Sequence, residues 1–505
     1  MVHDQPIIIN TDMLTKNPLS EPVRDQTSMV YPKDRLFTDV ESQEETHFVF
    51  CKIEEVTEDR KETTLEWVIS IKDKLEQAYR AEDTTIWGQL CIYRVPHYLQ
   101  ENERKSCFPQ TVSLGPYHHG EKRLRSMECH KWRAVNKVLK RNTNLCIEMF
   151  LDAMRELEGK ARACYEGSIS LSRNKFTEML VLDGCFVLEL FRGTVEGFTE
   201  LGYARNDPVF AMRGLMHSIQ RDMVMLENQL PLFVLDRLLE LQLGTHNQTG
   251  IVAQLAIKFW NPLLPTEGAK VCLPKLMNGL EKSLDGDKGE LLCLVVFRGS
   301  LLQSIPTPNR CVMNMGQQQL VHRVTELRGS GVKFRRRNTD RFWDIEFKNG
   351  YLEIPKILIH DGTKSLFSNL IAFEQCHIES SKHIKSYITF MDNLIKSDED
   401  VTYLHYCGII EHWLGSDSEV ADLFNQLCQE VVFDPKDSLL SRLSGEVNRF
   451  SGRRWNVFKR ILIYKYQVNL NNPWAYFSFF AAVALLLLTL CESFFSVYAY
   501  YKPKS

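Results

Sequence analysis

Apolar residues recur at helical spacing along most of this chain. Leu65, Val68, Ile71, Leu75 and Ala78 fall on one line, with Lys72, Lys74 and Glu76 off it; this predicts an amphipathic helix and places the onset of order near Leu65. The stretches Glu178–Phe191 and Met212–Gln242 are apolar and long enough for helices, the second expected to break near Pro231. Pro262 and Pro265 end a segment, and 266–320 reads as irregular apart from Leu291–Phe297, a run too short to span a bilayer and expected to be buried. Ile384, Ile388, Met391 and Ile395 form one stripe. Ser416-Asp-Ser-Glu419 has the form of a capping box, opening a helix that turns Val420, Leu423, Phe424 and Leu427 inward. Trp455, Phe458 and Leu462 lie on a basic stretch that reads as one further helix.

In one region the period changes from helical to alternating. Ile345 and Phe347 alternate with Asp344, Glu346 and Lys348; Asn349-Gly350 follows, and Leu352 and Ile354 then flank Glu353. Asn-Gly between alternating runs predicts a hairpin, because a type I′ turn needs positive φ at both central residues. Val332 and Phe334 are candidates for a third strand. The predicted fold class is mainly α with a small antiparallel β-hairpin or sheet element and a C-terminal transmembrane helix.

That last helix is the plainest signal. Trp474–Cys491 contains no charge, Glu492 interrupts, and Ser493–Tyr501 continues uncharged. About 20 apolar residues cross the hydrocarbon core. Trp474 and Tyr476 at one end, with Tyr498, Tyr500 and Tyr501 at the other, match interfacial aromatic belts. Arg453, Arg454, Lys459, Arg460 and Lys465 precede the span and only Lys502 and Lys504 follow it. The positive-inside rule therefore puts the bulk in the cytoplasm, as a tail-anchored protein of the plasma membrane or an endomembrane. The start, Met-Val-His-Asp-Gln-Pro, lacks the basic and apolar stretches of a signal peptide. The sequon Asn247-Gln-Thr249 is then expected to carry no glycan. Four segments result: an acidic, mostly disordered 1–62; a helical body over 63–470 with the β element near 332–359; the membrane helix over 471–501; and the tail 502–505.

Composition adds exclusions. With 61 basic against 64 acidic side chains, the net charge of −3 supplies no global field for nucleic acid. The 14 cysteines include no Cys-x-x-Cys pair, which points to reduced thiols in a reducing compartment. No nucleophile elbow, phosphate loop, dinucleotide fingerprint or His-Glu-x-x-His is present. His97, His118, His119, Cys129 and His130 are the best metal-ligand candidates, but their spacing matches no established shell, so no metal or cofactor is expected. Asp222 and Glu227, five apart in an apolar stretch, would stand about 140° apart on a helix and so form no glycosidase pair. They are expected to satisfy buried polar groups instead. Arg335-Arg336-Arg337 beside the hairpin reads as a solvated loop, with contact to anionic lipid or an acidic partner as the alternative.

Several stretches together resemble the plant family known as domain of unknown function 247. They include Cys91-Ile-Tyr-Arg-Val-Pro-His97, Val112-Ser-Leu-Gly-Pro-Tyr-His-His-Gly120, Met127-Glu-Cys-His-Lys-Trp132 and Met179-Leu-Val-Leu-Asp-Gly-Cys-Phe186. Arg221-Asp-Met-Val-Met-Leu-Glu-Asn-Gln-Leu-Pro231, Ser365-Leu-Phe-Ser-Asn-Leu-Ile-Ala-Phe-Glu-Gln375, Trp413-Leu-Gly-Ser-Asp417 and Asn472-Pro-Trp474 complete the set. The resemblance implies a plant protein with one C-terminal span and no assigned chemistry; some grass members are linked to self-incompatibility. Within those motifs, structural roles are expected for Tyr93, Arg94, Pro96, Gly115, Pro116, Tyr117, His118, Asp183, Asp222, Glu227, Asn228, Pro231, Glu374 and Trp413, and anchoring roles for Trp474, Glu492 and Tyr498. The function expected is a non-enzymatic recognition or signalling module, held to lipid by its helix and binding a protein partner not yet identified. A hydrolase or metalloenzyme with a non-standard His/Cys site is the alternative.

Overall fold

The computed structural model describes residues 67–75, 90–101, 104–244, 250–266, 292–302, 320–377, 380–429, 440–453 and 473–501. The acidic 1–62 segment, Asn247, the stretch carrying Trp455, Phe458 and Leu462, and the 502–505 tail lie outside them. The chain divides into two units, Met1–Lys74 and Leu75–Ser505. In the first, residues 67–74 are helical.

In the second unit the long helices are α1 (Glu128–Arg141), α2 (Ile147–Ala163), α3 (Arg173–Glu196), α4 (Arg213–Met223), α5 (Leu232–Leu243), α6 (Ile251–Phe259) and α7 (Cys293–Leu301). α3 is the central one. Its residues from Phe176 to Leu190 are buried almost without interruption, as a helix apolar on all sides must be. It packs against α1, α2, α5 and α6. α7 takes up Cys293–Phe297 of the apolar run expected to be buried, and Val296 and Phe297 are fully so.

The stretch expected to break near Pro231 does so, but the break is wider than one proline makes: the first helix ends at Met223, and the non-helical connection 224–231 precedes α5. The cause lies in the side chains that follow. Asn228 Nδ2 donates to Asp222 O at 2.9 Å, and Gln229 Nε2 donates to Met223 O at 2.6 Å and Met225 O at 2.9 Å. These amides take carbonyls that continued helix would have used. Asp222 and Glu227 therefore share no helix, and the angle expected between them does not apply.

Strands β1 (Lys333–Arg337), β2 (Glu346–Lys348) and β3 (Tyr351–Pro355) form a sheet in the order β1-β3-β2. β2 and β3 pair antiparallel, in the register Phe347↔Leu352, through Asn349 at φ 52° and Gly350 at φ 79°. The third strand, β1, lies parallel to β3, so the sheet is mixed. A two-stranded parallel pair, β4 (Ile357–Ile359) with β5 (Ile410–His412), was not anticipated. Between and after them come α8 (Asp361–Cys376), α9 (His383–Leu394), α10 (Asp398–Tyr406), α11 (Asp417–Cys428) and α12 (Ser441–Ser451). Ser416 caps α11 by accepting from Glu419 N–H, while the Glu419 carboxylate turns to Gly415 N–H; Val420, Leu423, Phe424 and Leu427 face inward. The last helix, α13 (Pro473–Tyr501), stands apart in composition. Phe477–Tyr498 is 22 residues long with a mean hydropathy of 2.1, long and apolar enough to cross a membrane.

Candidate functional site

Residues 107–118 cross the protein largely without strand partners, so their main-chain N–H groups need acceptors elsewhere. Side chains at the end of α4 and in the following turn supply them. Asp222 Oδ2 accepts from the N–H groups of Gln110 at 2.9 Å, Thr111 at 2.5 Å and Val112 at 3.0 Å. Asn228 accepts from Leu114 N–H at 2.6 Å and donates to Val112 O at 3.0 Å. Gly115, at φ +70°, donates to Asp183 of α3 at 2.9 Å. Burial pushes the Asp222 carboxyl up, against the downward pull of its three N–H donors.

Beside this segment lies a buried ion cluster. Lys131 of α1 is fully buried. Its Nζ is 2.6 Å from Asp183 Oδ1, 2.6 Å from Glu128 Oε1 and 2.6 Å from Ser113 O. Burial pulls the ammonium down, but Asp183 and Glu128 more than reverse that, so Lys131 titrates above an ordinary lysine. A nucleophilic lysine needs the opposite shift. Lys131 sits on the face of α1 that carries Ala134, Val135 and Val138. A cation on an apolar stripe is a signal the sequence offered, yet the motif reading did not single it out.

The segment from Cys91 to Tyr98 is tied to the same turn. Val95 N–H donates to Glu227 Oε1 at 2.8 Å, and Arg94 N–H donates to Glu166 at 2.7 Å. The Arg94 guanidinium lies 4.3 Å from the centre of the Tyr117 ring, whose hydroxyl donates to Ile92 O at 2.9 Å and Glu166 O at 3.0 Å. Tyr93 packs edge-on to His377. Pro96 opens the short helix His97–Glu101, accepting from Leu99 N–H. Pro116 accepts from His119 N–H, and Pro231 bridges to Leu292 before α5. Glu374 of α8 caps the start of α9, accepting from Ile384 N–H at 3.1 Å and Lys385 N–H at 3.0 Å, with Arg298 at 2.6 Å. Tyr98 OH donates to the adjacent Gln375. Trp413 lies apart from this network, 70% exposed at the end of β5.

The five metal-ligand candidates do not converge. His118 Nδ1 meets Glu121 Oε1 at 2.7 Å, and its Nε2 is 3.6 Å from Glu227 Oε2. His130 contacts Arg133 at 2.6 Å; burial and that cation pull its pKa down. Cys129 Sγ donates to Ser126 O, His97 is exposed, and His119 Nδ1 is buried. Among the described residues, no group of three His, Cys, Asp or Glu side chains is placed to hold an ion. Among the described residues no two cysteines form a disulfide. Burial pushes the Cys376 thiol up to about 11 and Cys428 up to about 12, away from the thiolate that a nucleophile requires.

Other buried polar residues escaped the sequence reading. Glu189 of α3 accepts from Tyr203 OH at 2.7 Å and pairs with Arg141. Asn369 of α8 accepts from Leu226 N–H and donates to Ser106 O. The network is thus a set of side chains spent on the main chain, an arrangement that fixes loops.

Two curated relatives from Arabidopsis thaliana match along most of their length. UPF0481 protein At3g47200 is 30% identical over 431 residues, covering 82% of this chain and 87% of the relative. UPF0481 protein At3g02645 is 23% identical over 527 aligned positions, covering 88% and 97%. No solved structure matches. The family profile described as plant protein of unknown function, DUF247, matches residues 92–488, and the chain belongs to that family.

Proposed function

We propose that this chain is a single-pass membrane protein whose bulk faces the cytoplasm and which acts as a non-enzymatic recognition or signalling module for a protein partner. The observation that carries the reading is the exposed apolar length of α13: Leu485, Leu486, Leu487 and Leu488 are each more than half exposed. An exposed apolar surface of that extent is poorly tolerated in water and is suited to lipid. Cytoplasmic orientation rests on the basic residues before the span, from Arg453 to Lys465, against Lys502 and Lys504 after it. The module reading is supported by carboxylates spent on main-chain N–H groups and by the Cys376 and Cys428 thiols, which burial holds protonated. Anchoring confines the body to a surface and raises its effective concentration for co-anchored partners.

Orientation is tested by glycan mapping in microsomes. A sequon appended after Ser505 should be glycosylated and Asn247 should remain bare; glycan at Asn247 reverses the topology. Proximity labelling in plant tissue should recover the same membrane-associated protein partners in repeated experiments. Recovery of none removes the module reading.

A further inference from the structure

Among the described residues β1 is an edge strand of its sheet, and its own side chains are mostly basic. β1 pairs with β3 alone, in the register Lys333↔Tyr351 to Arg337↔Pro355, and Lys333 N–H donates to Gly350 O at 2.9 Å. In a parallel ladder alternate residues face the same neighbour. Lys333 and Arg335 therefore direct their main-chain groups to β3, as Arg337 does with its N–H, its carbonyl accepting from Thr339 N–H, while Phe334 and Arg336 direct their N–H and C=O groups away from the sheet. Among the described residues, no hydrogen bond reaches the main chain of Phe334 or Arg336. Phe334 is buried edge-on against Tyr403, which pins the strand in place.

The side chains along this edge are basic. Arg337 is matched by Asp344 and Glu346, and Arg335 by Glu353. Among the described residues no carboxylate pairs with Lys333, Arg336 or Arg341, although Lys333 and Arg341 lie over the Tyr351 and Trp343 rings. An open cleft of about 800 Å³ continues from the end of β1, with Arg336, Arg337 and Arg341 set against Asp340, Asp344 and Glu353.

We propose that the β1 edge takes up an extended, acidic peptide segment of a partner protein as an added strand. The outward N–H and C=O groups of Phe334 and Arg336 supply a ladder for a peptide backbone, and Lys333, Arg336 and Arg341 select glutamate and aspartate along it. An anionic lipid head would use the charges but leave the main-chain groups unmet, so the peptide is the better fit. The proposal rests on the interaction-module reading and names the surface and partner class for it.

The test uses the full-length chain in zwitterionic nanodiscs, with a fluorescent peptide of about eight residues alternating glutamate and valine, read by anisotropy. Arg336→Pro removes the outward N–H and leaves the β1–β3 ladder intact, since proline is tolerated at a strand edge when its nitrogen faces outward. Arg336→Glu reverses the charge without touching the backbone. Each is expected to weaken binding at least about tenfold, the equivalent of one lost hydrogen bond, with an unchanged melting midpoint confirming the fold. A lysine–valine peptide should bind the parent at least as weakly. Equal binding by parent and Arg336→Glu overturns the proposal. So does failure of the acidic peptide to bind, with phosphatidylserine vesicles engaging parent and Arg336→Pro alike, which would make the edge a lipid patch. If the peptide fails but proximity labelling still recovers partners, the edge assignment falls and the module reading stands.

Discussion

Lys131→Met would leave Asp183 as a buried charge without its cation. At 2.6 Å and an effective dielectric constant of about 20, the ammonium attracts each carboxylate by about 6 kcal/mol before desolvation is counted. Glu128 is 29% exposed and can turn to water, but Asp183 is 1% exposed and cannot. Stranding one partner of a buried pair costs about 3–5 kcal/mol, and Ser113 O loses its donor as well. The expected loss is about 4 kcal/mol, a fall in melting temperature on the order of 10 °C for a body of this size. The assay is thermal and urea unfolding of the full-length chain in detergent. Adding Asp183→Asn should recover about half the loss, because the amide oxygen still accepts from Gly115 N–H and no charge is stranded. A Lys131→Met variant within about 1 kcal/mol of the parent refutes the reasoning. Strictly additive effects of the two substitutions refute it equally.

Gly115→Ala should destabilise by about 3 kcal/mol. The φ of +70° disfavours any side chain, and the new Cβ would lie 2.7 Å from Gln229 O; a melting temperature within about 2 °C of the parent would contradict this. Asp236 of α5 is pushed up to about 7, by burial first and by Glu240 second. A carboxyl raised in the folded state stabilises most below its unfolded value near 3.8, and that contribution is lost as pH rises towards 7. Asp236→Asn should therefore melt higher than the parent at pH 8, with the advantage shrinking towards pH 4; a pH-independent difference would place the cause elsewhere.

Local signals were read well and non-local ones were not. Asn349-Gly350 announced its turn because few residue pairs adopt positive φ twice. Ser416 announced its helix because the cap is made by its own first turn. The stripe Ile384, Ile388, Met391 and Ile395 is buried as its spacing requires. The early end of α4 was missed because it depends on Asn228 and Gln229 reaching back to carbonyls, which competes with a strong apolar pattern. The β4–β5 pair was illegible for a different reason: three-residue strands about 50 positions apart in the chain leave no periodic trace. The parallel placement of β1 is a matter of strand order, which alternation within a strand does not encode. Expecting Asp222 and Glu227 to satisfy buried groups was possible from polarity alone. Which N–H groups they meet, at Gln110 to Val112 and at Val95, required the fold.

Alkaline carbonate extraction of the intact polypeptide bears most directly on how this protein is held. The full-length chain should stay in the membrane pellet, and a Leu486→Arg/Leu488→Arg variant, which adds about 3 kcal/mol per arginine at the helix centre, should be released into the supernatant. Release of the unmodified chain would contradict membrane anchoring by α13 and, with it, the tethered module.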